Sequence, residues 1–98
     1  MRVNDLIVFP NPYTVDGDLS IGFDVTRPAD KLTIKVYTTA FRKVIETTAA
    51  GSYFRGSTEV FHARVFGSLA GGIYYVVVKA ENSGEAALSK PAVMVVLK

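Results

Sequence analysis

The chain has 98 residues, of which 49% are apolar and 20% charged, a composition that folds as one globular domain and excludes a disordered one. It has no cysteine, which excludes a disulfide, a thiolate metal centre and a Cys nucleophile. The net charge of +2 comes from scattered residues, the densest cluster being Arg42-Lys43, so the concentrated basic stripe of a nucleic-acid binder is missing.

Surface scaling for a chain of this mass predicts roughly 5,500 Å² of folded surface and a single core that needs no staple. The longest apolar run, Gly71 to Val78, is too short to span a bilayer. Met1-Arg2-Val3-Asn4-Asp5 lacks the charged-then-apolar layout of a signal peptide, so the expectation is either a cytoplasmic protein or an export signal outside this chain.

In chain order, Leu6-Ile7-Val8-Phe9 is a short apolar run ended by Pro10-Asn11-Pro12. Proline cannot donate to a ladder, so this strand stops there or lies at an edge. Asp16-Gly17-Asp18 reads as a turn. Leu19, Ile21, Phe23 and Val25 then alternate with Ser20, Gly22 and Asp24, which predicts a strand with one buried face. Arg27 to Lys31, with Pro28 and Asp30, forms a loop to a second alternating strand carrying Leu32, Ile34 and Val36. A connection at Thr38 to Arg42 leads to a short strand from Lys43 to Thr47. Ala49 to Ser57 has two glycines and no periodicity and reads as loop. Thr58 to Ala63 alternates weakly. Gly71-Gly72 opens the strongest strand, Ile73 to Ala80, which is apolar on both faces and therefore central, with Tyr74, Val76 and Val78 toward the core. Glu81 to Glu85 is a hairpin loop, Glu81 to Leu88 makes one helical turn at most, and Pro91 begins a last strand to Leu97.

No helix of ten residues is predicted. About seven short strands separated by turns indicate an all-β fold, an antiparallel β-sandwich of immunoglobulin or fibronectin-III type occupying residues 1–98 as a single domain.

Catalytic chemistry has little to work with. His62 is the sole histidine, and neither a nucleophile elbow nor a Cys supports a triad or a zinc site around it. Asp16 and Asp18 suit a turn that bonds its own backbone better than a Ca²⁺ loop, since the EF-hand order is missing. The glycines show no phosphate-cradling spacing that runs into a helix. The expectation is a non-enzymatic domain with no cofactor and no metal. Aromatics in predicted loops, namely Tyr13, Phe41, Tyr53, Phe54 and Phe66, stand either as caps on the core or as a surface for sugars or proteins.

The order Phe9-Pro10-Asn11-Pro12-Tyr13, Leu19 to Val25, Leu32-Thr33-Ile34-Lys35-Val36-Tyr37, Gly71-Gly72-Ile73-Tyr74-Tyr75 and a last strand ending Val96-Leu97-Lys98 resembles a known module. It is similar to the immunoglobulin-like C-terminal sorting domains of type IX secretion substrates, and to the related FlgD-like domain of the flagellar hook-capping protein. The resemblance covers nearly the whole chain. Its motif residues here are Pro10, Asn11, Pro12, Gly72, Tyr74 and Lys98. Pro10 and Pro12 are expected to end the first strand, Asn11 to bond the local backbone, and Gly72 to provide close approach or an unusual backbone angle. Where the family carries a Gly in the turn after its Val-Tyr pair, this chain has Thr38-Thr39-Ala40-Phe41-Arg42. Where it carries Trp-Asp-Gly, this chain has Phe61-His62-Ala63, with Phe61 standing for the Trp.

The resemblance implies the C-terminal module of a larger bacterial protein that is secreted or attached at the cell surface, with the secretion machinery as its protein partner. An assembly domain like that of a hook cap, with protein–protein interaction as its role, is the alternative. A carbohydrate-binding accessory module that uses the loop aromatics on a polysaccharide is the second.

Overall fold

Alternating apolar residues form the inner faces of two sheets that share one core. The computed structural model describes residues 2–14, 17–53, 57–61 and 69–97, the stretch 57–61 by backbone pairing alone. Nine strands occur among them: β1 Val3–Phe9, β2 Tyr13–Thr14, β3 Leu19–Val25, β4 Ala29–Thr38, β5 Lys43–Tyr53, β6 Ser57–Phe61, β7 Gly72–Asn82, β8 Glu85–Leu88 and β9 Ala92–Leu97. The smaller sheet has the order β1-β3-β6. The larger has the order β2-β9-β7-β4-β5, with β8 also paired to β7.

The fold is all-β, as the alternation predicts, with two corrections. The sheets are not wholly antiparallel, because β2 runs parallel to β9 through Tyr13↔Val96 and Thr14↔Leu97. Among the described residues there are nine strands rather than about seven, because β2 and β8 are two and four residues long and carry too little pattern to be read.

Boundaries shift for identifiable reasons. β1 begins at Val3, three residues earlier than its apolar run, because a register shift between Asn4 and Ile7 breaks the alternation there. Asp5 in this irregularity takes φ +57°, the left-handed region that Asp tolerates better than most residues. The predicted loop after Ala49 is strand as far as Tyr53. Thr48, Ala49 and Ala50 lie opposite Thr33, Leu32 and Lys31, and pairing to β4 overrides their low propensity. Glu85 to Leu88 is strand rather than helical turn, folded back on β7 by the Ser83-Gly84 turn. The Asn82 Oδ1 accepts from the main-chain N–H of Gly84 at 3.0 Å and of Glu85 at 2.9 Å, which closes that turn.

Tyr74, Val76, Val78 and Ala80 of β7 face inward, as do Leu32, Ile34 and Val36 of β4, Leu19, Ile21 and Phe23 of β3, and Met94 and Val96 of β9. β7 is central, with β4 on one side and β8 and β9 on the other. All these side chains belong to one apolar cluster, in which each large aliphatic side chain or Phe is worth about 1.5–3 kcal/mol on full burial. Phe23 and Tyr53 meet across the two sheets with ring centroids 5.7 Å apart. The surface area of 5538 Å² agrees with the size expectation.

Candidate functional site

The resemblance motif and the surface aromatics are the two places where sequence points to recognition. The structure treats them differently.

Pro10, Asn11 and Pro12 form the link between β1 and β2, and both the Phe9–Pro10 and Asn11–Pro12 peptide bonds are cis. Asn11 does not bond its local backbone as expected. Its Nδ2 donates to the carbonyl oxygen of Val93 at 2.9 Å, and its Oδ1 accepts from the N–H of Val95 at 2.9 Å. The side-chain amide therefore stands where a neighbouring strand's peptide group would stand, and β2 then continues the same edge by backbone pairing at Val96 and Leu97. The motif pins the first crossing between the sheets to the last strand. Nothing local in the sequence signals that reach, since its partners are more than 80 residues away.

Gly72 begins β7 at φ +152°, and a Cβ there would meet nothing within 4 Å. Of the two roles expected for it, the structure supplies the unusual backbone angle and not the close approach. Tyr74 is buried, and its hydroxyl donates to the Ala70 carbonyl at 2.9 Å. Lys98 lies outside the described residues, as do Phe54, Phe66, His62 and Asp16; the side chain of Phe61 does as well.

The loop aromatics divide. Tyr13 and Tyr53 are buried in the core, and the Tyr13 hydroxyl donates to the Gly17 carbonyl at 2.8 Å. These two cap the core rather than form a surface. Phe41 is 72% exposed and stacks on Tyr75, with centroids 5.4 Å apart and planes 14° from parallel. It also sits at φ +62°, in the turn where the resembling family carries a Gly. That turn is closed by Phe41 N–H to Thr38 O at 2.9 Å and Thr38 N–H to Arg42 O at 2.9 Å. A bulky residue in a left-handed conformation costs roughly 1–2 kcal/mol.

Phe41 is one end of a wider surface. On the outer face of the larger sheet, Tyr37, Tyr75 and Val93 lie side by side across β4, β7 and β9, and Ile73 lies opposite Val95. Ile73, Val93 and Leu97 are each at least half exposed. Sequence alternation places Tyr75 and Val77 on this face but gives no sign that Phe41 folds onto it, because that contact depends on the turn. The charged side of the face is β4–β5, where Glu46 pairs with Lys35 at 3.9 Å and with Lys43 at 3.4 Å.

Elsewhere an open groove separates Arg2 to Leu6 of the small sheet from Ala86 to Ala92 of the large one. Its charged lining residues are Arg2, Asp5 and Lys90, with no grouping suited to acid–base catalysis. Among the described residues, no three His, Cys, Asp or Glu side chains gather to hold a metal ion, and no helix is long and apolar enough to cross a membrane.

No protein-family model matches the chain, and no curated protein does. Among solved structures, the fold is similar to part of dimeric latent PorU from Porphyromonas gingivalis, with a TM-score of 0.66 at 17% identity. The likeness covers 95% of this chain and 9% of that one, so the chain corresponds to a domain-sized piece of a much longer protein.

Proposed function

We propose that this chain is a non-enzymatic immunoglobulin-like module that serves secretion sorting or surface attachment of a larger exported bacterial protein. The observation that carries the reading is the fold likeness to a domain-sized part of PorU, a type IX secretion-related protein, found over almost the whole chain. It agrees with the independent sequence resemblance to type IX sorting domains through Pro10-Asn11-Pro12 and Gly72-Ile73-Tyr74. The Asn11 contacts to β9 give that motif a physical role, which is to couple the start of the domain to its last strand.

A fusion of residues 1–98 to a periplasmic reporter, expressed in a host with type IX machinery, tests this. The reporter is expected at the cell surface or in the medium. Retention in the periplasm by a folded fusion contradicts the reading.

A second reading is an assembly domain that docks a protein partner, and the exposed apolar surface around Phe41 and Tyr75 favours it. The carbohydrate reading loses Tyr13 and Tyr53 to the core and rests on Phe41 alone among the described candidates.

A further inference from the structure

Along the β8–β9 side of the larger sheet one stretch of edge is covered and the next is bare. The Ser89 N–H donates to the Val78 carbonyl at 2.8 Å, and the Ser89 Oγ accepts the Val78 N–H at 2.9 Å, so Val78 aims its backbone groups at this side. By alternation Ala80 and Asn82 bond Ala87 and Glu85, which leaves Ala86 and Leu88 aiming their N–H and C=O groups out of the sheet. On β9 the same parity aims Val93 and Val95 outward. There the Asn11 amide takes the Val93 carbonyl and the Val95 N–H, and β2 pairs beyond it at Val96 and Leu97. This cover stops at Val93. Ala86 and Leu88 are exposed, and their outward backbone groups meet no partner among the described residues.

Beside the bare stretch lies the groove between the two sheets, with a volume of about 830 Å³. Its other wall is β1, the edge strand of the smaller sheet. The Thr26 N–H bond to the Arg2 carbonyl turns Arg2 toward β3, so Val3 aims its backbone groups away from β3. Between the walls Leu6, Ala87 and Ala92 are half-buried and pack against the core. Two of these are alanine, and their short side chains leave the space unfilled. Arg2 and Lys90 stand on opposite walls, and neither is in an ion pair among the described residues. Asp5 is the single carboxylate of the lining against these two cations.

We propose that this groove binds an extended acidic peptide by strand addition to β8. A peptide strand there exchanges backbone hydrogen bonds with Ala86 and Leu88, in line with the Asn11 amide and β2. It drops alternate side chains into the cavity against Leu6, Ala87 and Ala92. β5 and β6 end their sheets too, so a free edge alone does not select an occupant. Three features select it here. The cavity takes an apolar side chain at every second position. The outward groups two residues apart match an extended backbone, whereas a helix bonds its own. The excess of cations over Asp5 favours a carboxylate on the peptide.

Panning random heptapeptides against residues 1–98 tests the proposal. Enriched peptides are expected to alternate apolar and polar residues and to carry Asp or Glu. In an NMR titration with such a peptide the amides of Val3 to Leu6 and of Ala86 to Leu88 are expected to shift, with a dissociation constant of about 10 μM to 1 mM. Leu88→Pro removes an N–H aimed at the peptide and none aimed at β7, so circular dichroism stays native while binding weakens about 10-fold. Lys90→Glu weakens the acidic peptide by about 2- to 5-fold and tightens the same peptide with its acid replaced by Lys. A library without enrichment overturns the proposal, as do enriched peptides with apolar residues at three- and four-residue spacing. So does a peptide that binds the Leu88→Pro variant as tightly as wild type, or one that shifts the β5 amides instead. A wild-type dimer that Leu88→Pro abolishes would give the groove to a second copy and overturn it as well. The proposal rests on the groove's geometry, and none of these outcomes bears on export of a reporter.

Discussion

The side-chain amide of Asn11 bonds the main chain of Val93, donating to its carbonyl at 2.9 Å while accepting from Val95 two residues on. One side chain near the start of the domain thereby completes the edge of its last strand. The relationship explains why an Asn stands between two prolines. Neither proline has an N–H to offer the edge, and the amide supplies both a donor and an acceptor.

Replacing that amide tests the relationship. Asn11→Ala removes both bonds and is expected to lower stability by about 1–3 kcal/mol in urea unfolding. Asn11→Asp keeps the acceptor for Val95 but turns a carboxylate oxygen toward the Val93 carbonyl, so at neutral pH it should lose at least as much. An Asp variant as stable as wild type would show that the donor half of the contact contributes nothing.

Tyr74 separates packing from hydrogen bonding at the start of β7. Tyr74→Phe loses only the bond to Ala70 and should cost about 1 kcal/mol. Tyr74→Ala also empties a core position and should cost roughly 3–5 kcal/mol. Equal losses from the two variants would mean that the ring does not pack against the core.

At Phe41 the usual order of Ala and Gly should invert. Phe41→Ala loses the stack on Tyr75 and keeps a left-handed backbone on a residue with a Cβ, so a loss of about 1 kcal/mol is expected. Phe41→Gly loses the same stack but removes the backbone cost, and should fall within about 0.5 kcal/mol of wild type. Thermal unfolding of the two variants side by side reads the difference. An Ala variant more stable than the Gly variant would contradict the turn geometry.

Gly72 makes the complementary case. Space around it is open, so a clash cannot be the reason for glycine there. Gly72→Ala should still cost about 1–3 kcal/mol through its φ of +152° alone. A neutral substitution would show that β7 can begin with an ordinary backbone.

The sequence spoke clearly where alternation is strict and partners are near. Leu19 to Val25 matches β3 to the residue, and the inward set Tyr74, Val76 and Val78 follows from the single Lys79 on the other face. It was silent where a strand exists only because a neighbour holds it. Ala49 to Tyr53 has no periodicity of its own and is strand because β4 bonds it; Glu85 to Leu88 is strand because the Asn82 turn returns it to β7. Within the candidate site, Pro10 and Pro12 were legible as a strand end, since proline acts locally. The reach of Asn11 to β9 and the stacking of Phe41 on Tyr75 were not, because each depends on residues brought together by topology. Tyr13 and Tyr53 illustrate the same limit from the other side. An aromatic in a segment without pattern reads equally as surface or cap, and only the closed core decides.

The central claim is that this domain travels as a module of a larger exported protein. An antibody against residues 1–98, used on immunoblots of cell, surface and medium fractions of the source organism, tests it most directly. The account predicts reactivity at the surface or in the medium, with cell-associated material far larger than 10.6 kDa. A band near 10.6 kDa confined to the cell interior would contradict it.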